Sequence, residues 1–239
     1  MNIAVIFAGG SGLRMHTKSR PKQFLELNGK PIIIYTLELF DNHPEVDAIV
    51  VACIEPWIPF LEKMIRKFEI NKVVRIVPGG KSGQESIYRG LCAAEEYAGK
   101  QPANVLIHDG VRPLITEDTI TDNIRKVEEC GSCITCVPAT ETFVVTGDDG
   151  QMEIPSRAQS LIARAPQTFR LADIIAAHRK ALAEGHTNFI DSCTMMNHYG
   201  YTLGTVIGPM ENIKITTPTD FFVFRAMVKV HEDQQIFGF

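Results

Sequence analysis

The stretch Asn2-Ile3-Ala4-Val5-Ile6-Phe7-Ala8-Gly9-Gly10-Ser11-Gly12-Leu13-Arg14-Met15 decides the architecture. Residues 3–7 are an unbroken apolar run, too short for a helix of its own and β-branched at three of five places. A run of this kind suits a strand buried on both faces, as in a parallel sheet covered by helices. It passes directly into a loop with three glycines in four residues. With no basic leader before it, the run is expected to be a first strand and not a secretion signal.

Outward from this strand the chain alternates. Short apolar runs at residues 48–52, 73–77 and 105–108 are separated by helical patterns near 31–40, 57–68, 84–97 and 117–129. Ile87, Leu91 and Ala94 recur at helical spacing, and Pro31 suits a first helical turn. Such alternation predicts an α/β fold with a doubly wound, mostly parallel, Rossmann-like sheet, whose ligands bind at the carboxyl ends of the strands. After Pro138 the pattern changes. Residues 142–146 and 151–154 flank Gly147-Asp148-Asp149-Gly150, a hairpin signal. A hairpin is marginal alone, so an arm over residues 139–157 needs a surface to pack on, and a partner subunit is the economical one. The α/β pattern resumes with a helix at 171–184, a strand at 203–207 and a last helix from Pro218. No repeat or linker divides residues 1–239, so one domain is expected.

With 239 residues, 45% of them hydrophobic, the chain has ample material for a core. A net charge of −4 argues against a general nucleic-acid binder, which needs a basic excess. No apolar run approaches the roughly 18 residues of a membrane helix, and a cytoplasmic location is expected. Cys130, Cys133 and Cys136 have the spacing of a cluster-binding run. However, Thr140 stands where a fourth cysteine would be, and Cys133 and Cys136 lie in a strand-like stretch, so packed thiols are expected.

Four segments carry chemistry. In the first, Ala8, Gly9, Gly10 and Gly12 bring backbone N–H groups close around an anion, and Arg14 and Lys22, the latter within Pro21-Lys22-Gln23-Phe24, add positive charge. Met15 occupies the third glycine position of a dinucleotide fingerprint, and no Gly-Lys-Ser/Thr closes a Walker loop. The second, His108-Asp109-Gly110-Val111-Arg112-Pro113, ends a strand. There Asp109 either orients a substrate hydroxyl or metal ion, or pairs with Arg112 to shape the turn, and His108 reads as structural. The third, Gly79-Gly80-Lys81-Ser82-Gly83-Gln84-Glu85-Ser86, joins strand to helix, either capping the helix or reading a pyrimidine edge with its amides and Ser86. The fourth is Asn212-Ile213-Lys214-Ile215-Thr216, with a lysine between apolar residues.

With Ala165-Pro166-Gln167-Thr168-Phe169, these segments resemble, nearly end to end and in order, the cytidylyltransferases of the methylerythritol-phosphate and ribitol-phosphate type. The resemblance implies that Ala8, Gly9, Gly10, Gly12, Arg14 and Lys22 hold CTP phosphates, with Gly80 and Ser86 near the cytosine. Asp109, Arg112, Thr142, Arg157, Asp191 and Lys214 would surround the alcohol phosphate, with Asp109 also close to the nucleotide. Arg14, Lys22 and Lys214 would stabilise the transition state, and Mg²⁺ would arrive with CTP. The arm would dimerise the protein and complete each pocket from the neighbouring subunit. Two departures bear on the acceptor. Glu141-Thr142-Phe143-Val144 replaces the Asp-Thr-(Ile/Met)-Lys typical of methylerythritol-phosphate enzymes, and Ile190-Asp191 replaces a Thr-Asp pair. Losing that hydroxyl removes a possible polar contact. D-ribitol 5-phosphate is therefore the favoured acceptor, ahead of 2-C-methyl-D-erythritol 4-phosphate. A sugar-1-phosphate nucleotidyltransferase and a non-catalytic nucleotide-binding relative are the rival readings.

Overall fold

The computed structural model describes residues 1–9 and 20–238. In chain order it contains β1 (Asn2–Ala8), β2 (Glu26–Leu27), β3 (Lys30–Pro31), α1 (Ile32–Asn42), β4 (Ala48–Cys53), α2 (Ile58–Lys67), β5 (Val73–Pro78), α3 (Gly83–Ala98), β6 (Asn104–Asp109) and α4 (Glu117–Cys130). There follow β7 (Ser132–Pro138), β8 (Val145–Thr146), β9 (Met152–Glu153), β10 (Leu161–Arg170), α5 (Leu171–Ala183), α6 (Ser192–His198), β11 (Thr205–Ile207) and α7 (Pro218–Phe237).

Seven strands form the main sheet in the order β11-β7-β10-β6-β1-β4-β5. β1 pairs in parallel with both β4 and β6, and β10 alone runs antiparallel to its neighbours. The chain leaves β1 toward β4 and β5 and then returns to its other side at β6. That reversal opens a crevice at the carboxyl ends of the central strands. Alternation along β1 explains the apolar run: Ile3 and Val5 enter one core with Ile87, Leu91 and Ala94 of α3, while Ala4 and Ile6 enter the other with Ile33 and Leu37 of α1. Both faces are dry, so no polar position interrupts the strand.

Several local expectations are adjusted. Pro31 ends β3 and caps α1 from outside instead of lying in its first turn. The hairpin pairs only Val145 with Glu153 and Thr146 with Met152, around a turn in which Gly147 N–H donates to the Gln151 carbonyl at 2.9 Å. β10 and α6 have no counterpart in the sequence reading. Arg164, Ala165 and Pro166 interrupt the pairing register between β10 and β7, which turns the middle of β10 toward the crevice. Cys133 and Cys136 lie on β7, three residues apart and so on opposite faces, and all six thiols are free. Burial pushes the Cys133 thiol up to about 12, keeping it protonated.

Candidate active site

The central feature lies at the end of β6. Asp109, almost fully buried, accepts Arg112 Nε on Oδ2 at 2.8 Å and Lys214 Nζ on Oδ1 at 2.5 Å. Burial raises its carboxyl pKa, but Lys214 and Arg112 outweigh that effect and hold the group below its ordinary value. Arg112 also donates through Nη1 to the Asn212 carbonyl at 2.9 Å, and the same oxygen accepts Arg164 Nη1 at 2.7 Å. The Asn212 side chain in turn donates to the Ala165 carbonyl at 2.7 Å. Three segments distant in sequence are thereby locked into one cationic cluster. His108, fully buried, lies with Nε2 3.1 Å from the Arg112 carbonyl, which requires its proton on that nitrogen. Burial pushes the imidazole down to about 4, so it is neutral and structural, as its place at the strand end suggested.

The second feature is a meeting of two glycine turns. Ala8 is in register with Cys53, and Gly79 N–H donates to the Cys53 carbonyl at 2.7 Å, which brings Gly79 beside Gly9. A Cβ on Gly79 would stand 3.3 Å from the Gly9 Cα, and one on Gly9 would stand 2.8 Å from the Ser86 Oγ. Only glycine allows the two turns to approach so closely. Ser86 Oγ accepts the Gly80 N–H and donates to the Ser82 carbonyl, each at 2.9 Å, while Ser82 caps α3 by accepting the Glu85 N–H. Capping and site-building are thus the same arrangement. At the opposite edge, Gln23 Nε2 donates to the Ala8 carbonyl at 2.6 Å, tying the short turn that carries Lys22 to the end of β1.

Asp109, Arg112, Asp191 and Lys214 line one cleft, together with Arg164 and Gln167. Asp191 caps α6 by accepting the Thr194 N–H at 2.8 Å, and neighbouring Ile190, at the cleft wall, is 87% exposed. Thr142 and Arg157 do not line this cleft. Thr142 is exposed on the arm, and the Arg157 side chain reaches the Thr140 carbonyl at 3.4 Å. Gly80 and Ser86 sit beside the cleft, whose wall is built by Gly83, Gln84 and Ile87 from the same turn and helix. Gly10, Gly12 and Arg14 lie outside the described residues. Arg164 is a residue that sequence reasoning passed over. Its signal was its place directly before Ala165-Pro166-Gln167, but only the return of β10 beside β6 shows that it faces Arg112. Burial, and then the Arg112 charge, lower its pKa.

A glycine-walled turn and a cationic cleft at one topological crevice suit two phosphorylated ligands side by side. Known proteins agree. The family model described as 2-C-methyl-D-erythritol 4-phosphate cytidylyltransferase (IspD) matches residues 2–230. The chain is 52% identical to the ribitol-5-phosphate cytidylyltransferase of Vibrio parahaemolyticus over 239 residues, covering 100% of both. It is 37% identical to the 2-C-methyl-D-erythritol 4-phosphate cytidylyltransferase of Clostridium botulinum over 223 residues, 93% of this chain and 95% of that one. Among solved structures, 4-diphosphocytidyl-2C-methyl-D-erythritol synthase of Anaerococcus prevotii superposes with a TM-score of 0.82 at 26% identity, covering 95% of this chain and 96% of the other. Fold, ordered motifs and whole-length identity converge: the chain belongs to the IspD family of cytidylyltransferases, which are nucleotidyltransferases.

Proposed function

We propose that this protein transfers CMP from CTP to D-ribitol 5-phosphate, releasing pyrophosphate and forming CDP-ribitol. One observation carries the chemistry: Asp109, Arg112 and Lys214 form a cationic cluster in the cleft beside the two apposed glycine turns. The acceptor rests on whole-length similarity. Relatives 50–52% identical are named ribitol-5-phosphate cytidylyltransferases, whereas a methylerythritol-phosphate enzyme is 37% identical. The aliphatic Ile190 in place of a hydroxyl residue fits the same choice.

In this reading the glycine turn, with Arg14 and Lys22, cradles the triphosphate, and Gly80 and Ser86 lie toward the cytosine. A phosphate oxygen of the acceptor attacks the α-phosphorus in line. The bond from that phosphorus to the bridging oxygen of the β-phosphate breaks, and pyrophosphate leaves with the electron pair. No protein nucleophile is needed, so the chain contributes positioning and fixed positive charge. Lys214, 39% exposed against 7% for Asp109, is the cation best placed to swing onto a phosphate. Both Asp109 oxygens are taken by cations, so this carboxylate is not a preformed metal ligand. Magnesium is better carried by the phosphate oxygens of the nucleotide, where it offsets their mutual repulsion.

The same reading makes the protein a homodimer. The arm exposes Val144, Val145, Met152 and Ile154, of which Met152 is 75% and Ile154 65% exposed. It also carries Thr142 and Arg157, which the cleft of their own chain does not include. Docking the arm on a second copy covers the apolar surface and delivers both residues to the opposite pocket. Free thiols throughout and a CTP requirement suit the cytoplasm, and no described helix is long and apolar enough to cross a membrane.

The test is pyrophosphate release from CTP across a panel of acceptors. D-ribitol 5-phosphate is expected to give the highest kcat/KM. A higher value with 2-C-methyl-D-erythritol 4-phosphate would move the protein to isoprenoid synthesis, turnover confined to sugar 1-phosphates would reject a polyol-phosphate acceptor, and CTP binding without turnover would make it a binding protein.

A further inference from the structure

Away from the cationic cluster, the two helices that flank the cleft wall end against each other. α5 closes with a left-handed glycine cap: Gly185 has φ +77°, the His186 N–H donates to the Ala181 carbonyl at 2.8 Å, and the Gly185 N–H donates to Leu182 at 3.2 Å. α6 closes in the same way around Gly200, with Tyr201 N–H on Met196 and Gly200 N–H on Asn197, both at 3.0 Å. These two caps fix the backbone of Glu184, His186 and His198. One potential ligand atom from each of the three side chains lies within 4.8 Å of the other two.

We propose that Glu184, His186 and His198 form a binding site for a divalent transition-metal ion of the zinc type, and that the bound ion pins the wall of the acceptor cleft. Two imidazoles and a carboxylate are a zinc-type donor set, while hard magnesium prefers oxygen alone. Zinc–nitrogen bonds of about 2.0–2.1 Å place donors roughly 3.3 Å apart, a closure that rotation of three exposed side chains supplies. A supporting partner is already present. The Tyr199 hydroxyl donates to Glu184 Oε2 at 2.8 Å, which orients the carboxylate and leaves its other oxygen to the ion. The carboxyl-terminal end of α5 also favours a cation.

The consequence for the cleft runs through a short segment. The His186 carbonyl accepts Gln84 Nε2 at 2.8 Å, and the Phe189 N–H donates to Gln84 Oε1 at 2.9 Å. Phe189, Ile190 and Asp191 then form the cleft wall. The Phe189 ring packs on His198 with centroids 5.3 Å apart. An ion joining His186 to His198 would tether the start of this segment to the far end of α6, the helix that follows it.

The experiment uses full-length protein freed of metal by chelation, titrated with Zn²⁺ in excess Mg²⁺ and followed by calorimetry and hydrogen exchange. One Zn²⁺ per chain is expected to bind, with exchange slowed over residues 186–191. The double variant His186→Gln/His198→Gln should bind at least ~100-fold more weakly, and Tyr199→Phe about 10-fold more weakly, the scale of losing an orienting partner. Equal affinity in wild type and double variant, or no saturable binding by wild type, overturns the site. Binding without slowed exchange at 186–191 overturns its action on the cleft wall. None of these readouts needs turnover, so the outcome is independent of which acceptor the enzyme uses.

Discussion

Lys214 Nζ lies 2.5 Å from Asp109 Oδ1, while Arg112 occupies the other oxygen of the same carboxylate. One buried anion therefore holds two cations that would otherwise repel, and it holds them unequally: Arg112 is further anchored to the Asn212 carbonyl, and Lys214 is the more exposed. The arrangement stores a positive charge where an incoming phosphate can compete for it.

Removing either end should give different results. Lys214→Met is expected to lower turnover by ~100-fold or more, the scale of losing one preorganised electrostatic donor, with a modest change in melting temperature because Asp109 keeps Arg112. Asp109→Asn leaves two cations unneutralised, and breaking a buried pair in this way costs roughly 3–5 kcal/mol. Denaturant midpoints and steady-state rates on both variants check this. A Lys214→Met enzyme of normal rate would remove Lys214 from the chemistry.

The apposed glycine turns predict a coupled pair. Gly9→Ala places a Cβ 2.8 Å from the Ser86 hydroxyl oxygen, so it should raise the KM for CTP at least ~10-fold by prying the turns apart. Ser86→Ala removes that oxygen, together with the bond from the Gly80 N–H. The two substitutions should then be non-additive, with the double variant less impaired than the product of the single effects. Simple additivity would mean that the turns do not depend on this contact.

Lys22 and Arg157 test the proposed sharing of each pocket across a dimer. Lys22→Ala and Arg157→Ala homodimers should each lose ~100-fold or more in rate. Co-expressed, with about half the dimers mixed, roughly one quarter of all pockets carry neither defect, and that share of activity should return. Activity that stays at the mutant level, in a sample shown to contain heterodimers, places Arg157 in its own subunit's pocket.

Two buried imidazoles make stability pH-dependent. His108 and His178 are both pushed down to about 4 by burial, whereas the unfolded chain titrates them near 6.5. Between these values the unfolded state binds more protons, so their contribution is complete above about pH 6.5 and is lost as pH falls toward about 4. At the limit each accounts for about 3 kcal/mol. His178, stacked on Tyr88 and with no hydrogen-bond partner for either ring nitrogen among the described residues, is the cleaner probe. Denaturant unfolding at pH 7.5 and pH 5 should show a smaller difference in His178→Phe than in wild type. An unchanged difference would assign the acid sensitivity elsewhere.

Much of this was legible along the chain because it depends on neighbours in sequence. The apolar run of β1 is continuous since both faces are buried, and the helices that follow carry their own periodicity. The last helix begins at Pro218, where Thr217 and Asp220 form a capping box. The glycine-rich stretch directly after β1 and the order of the motifs likewise needed no coordinates. Tertiary structure alone decided what those segments do to one another. Arg112 meets the Asn212 carbonyl across 100 residues, Arg164 joins them because β10 inserts antiparallel between β6 and β7, and Gly9 meets Gly79 through the register of β1 with β4. The resemblance groups the arm residues Thr142 and Arg157 with the acceptor pocket, yet neither lines the cleft of its own chain. Periodicity reports which face of an element is buried. Which segment it is buried against is settled by strand order and register, and these depend on long-range packing that no local pattern encodes.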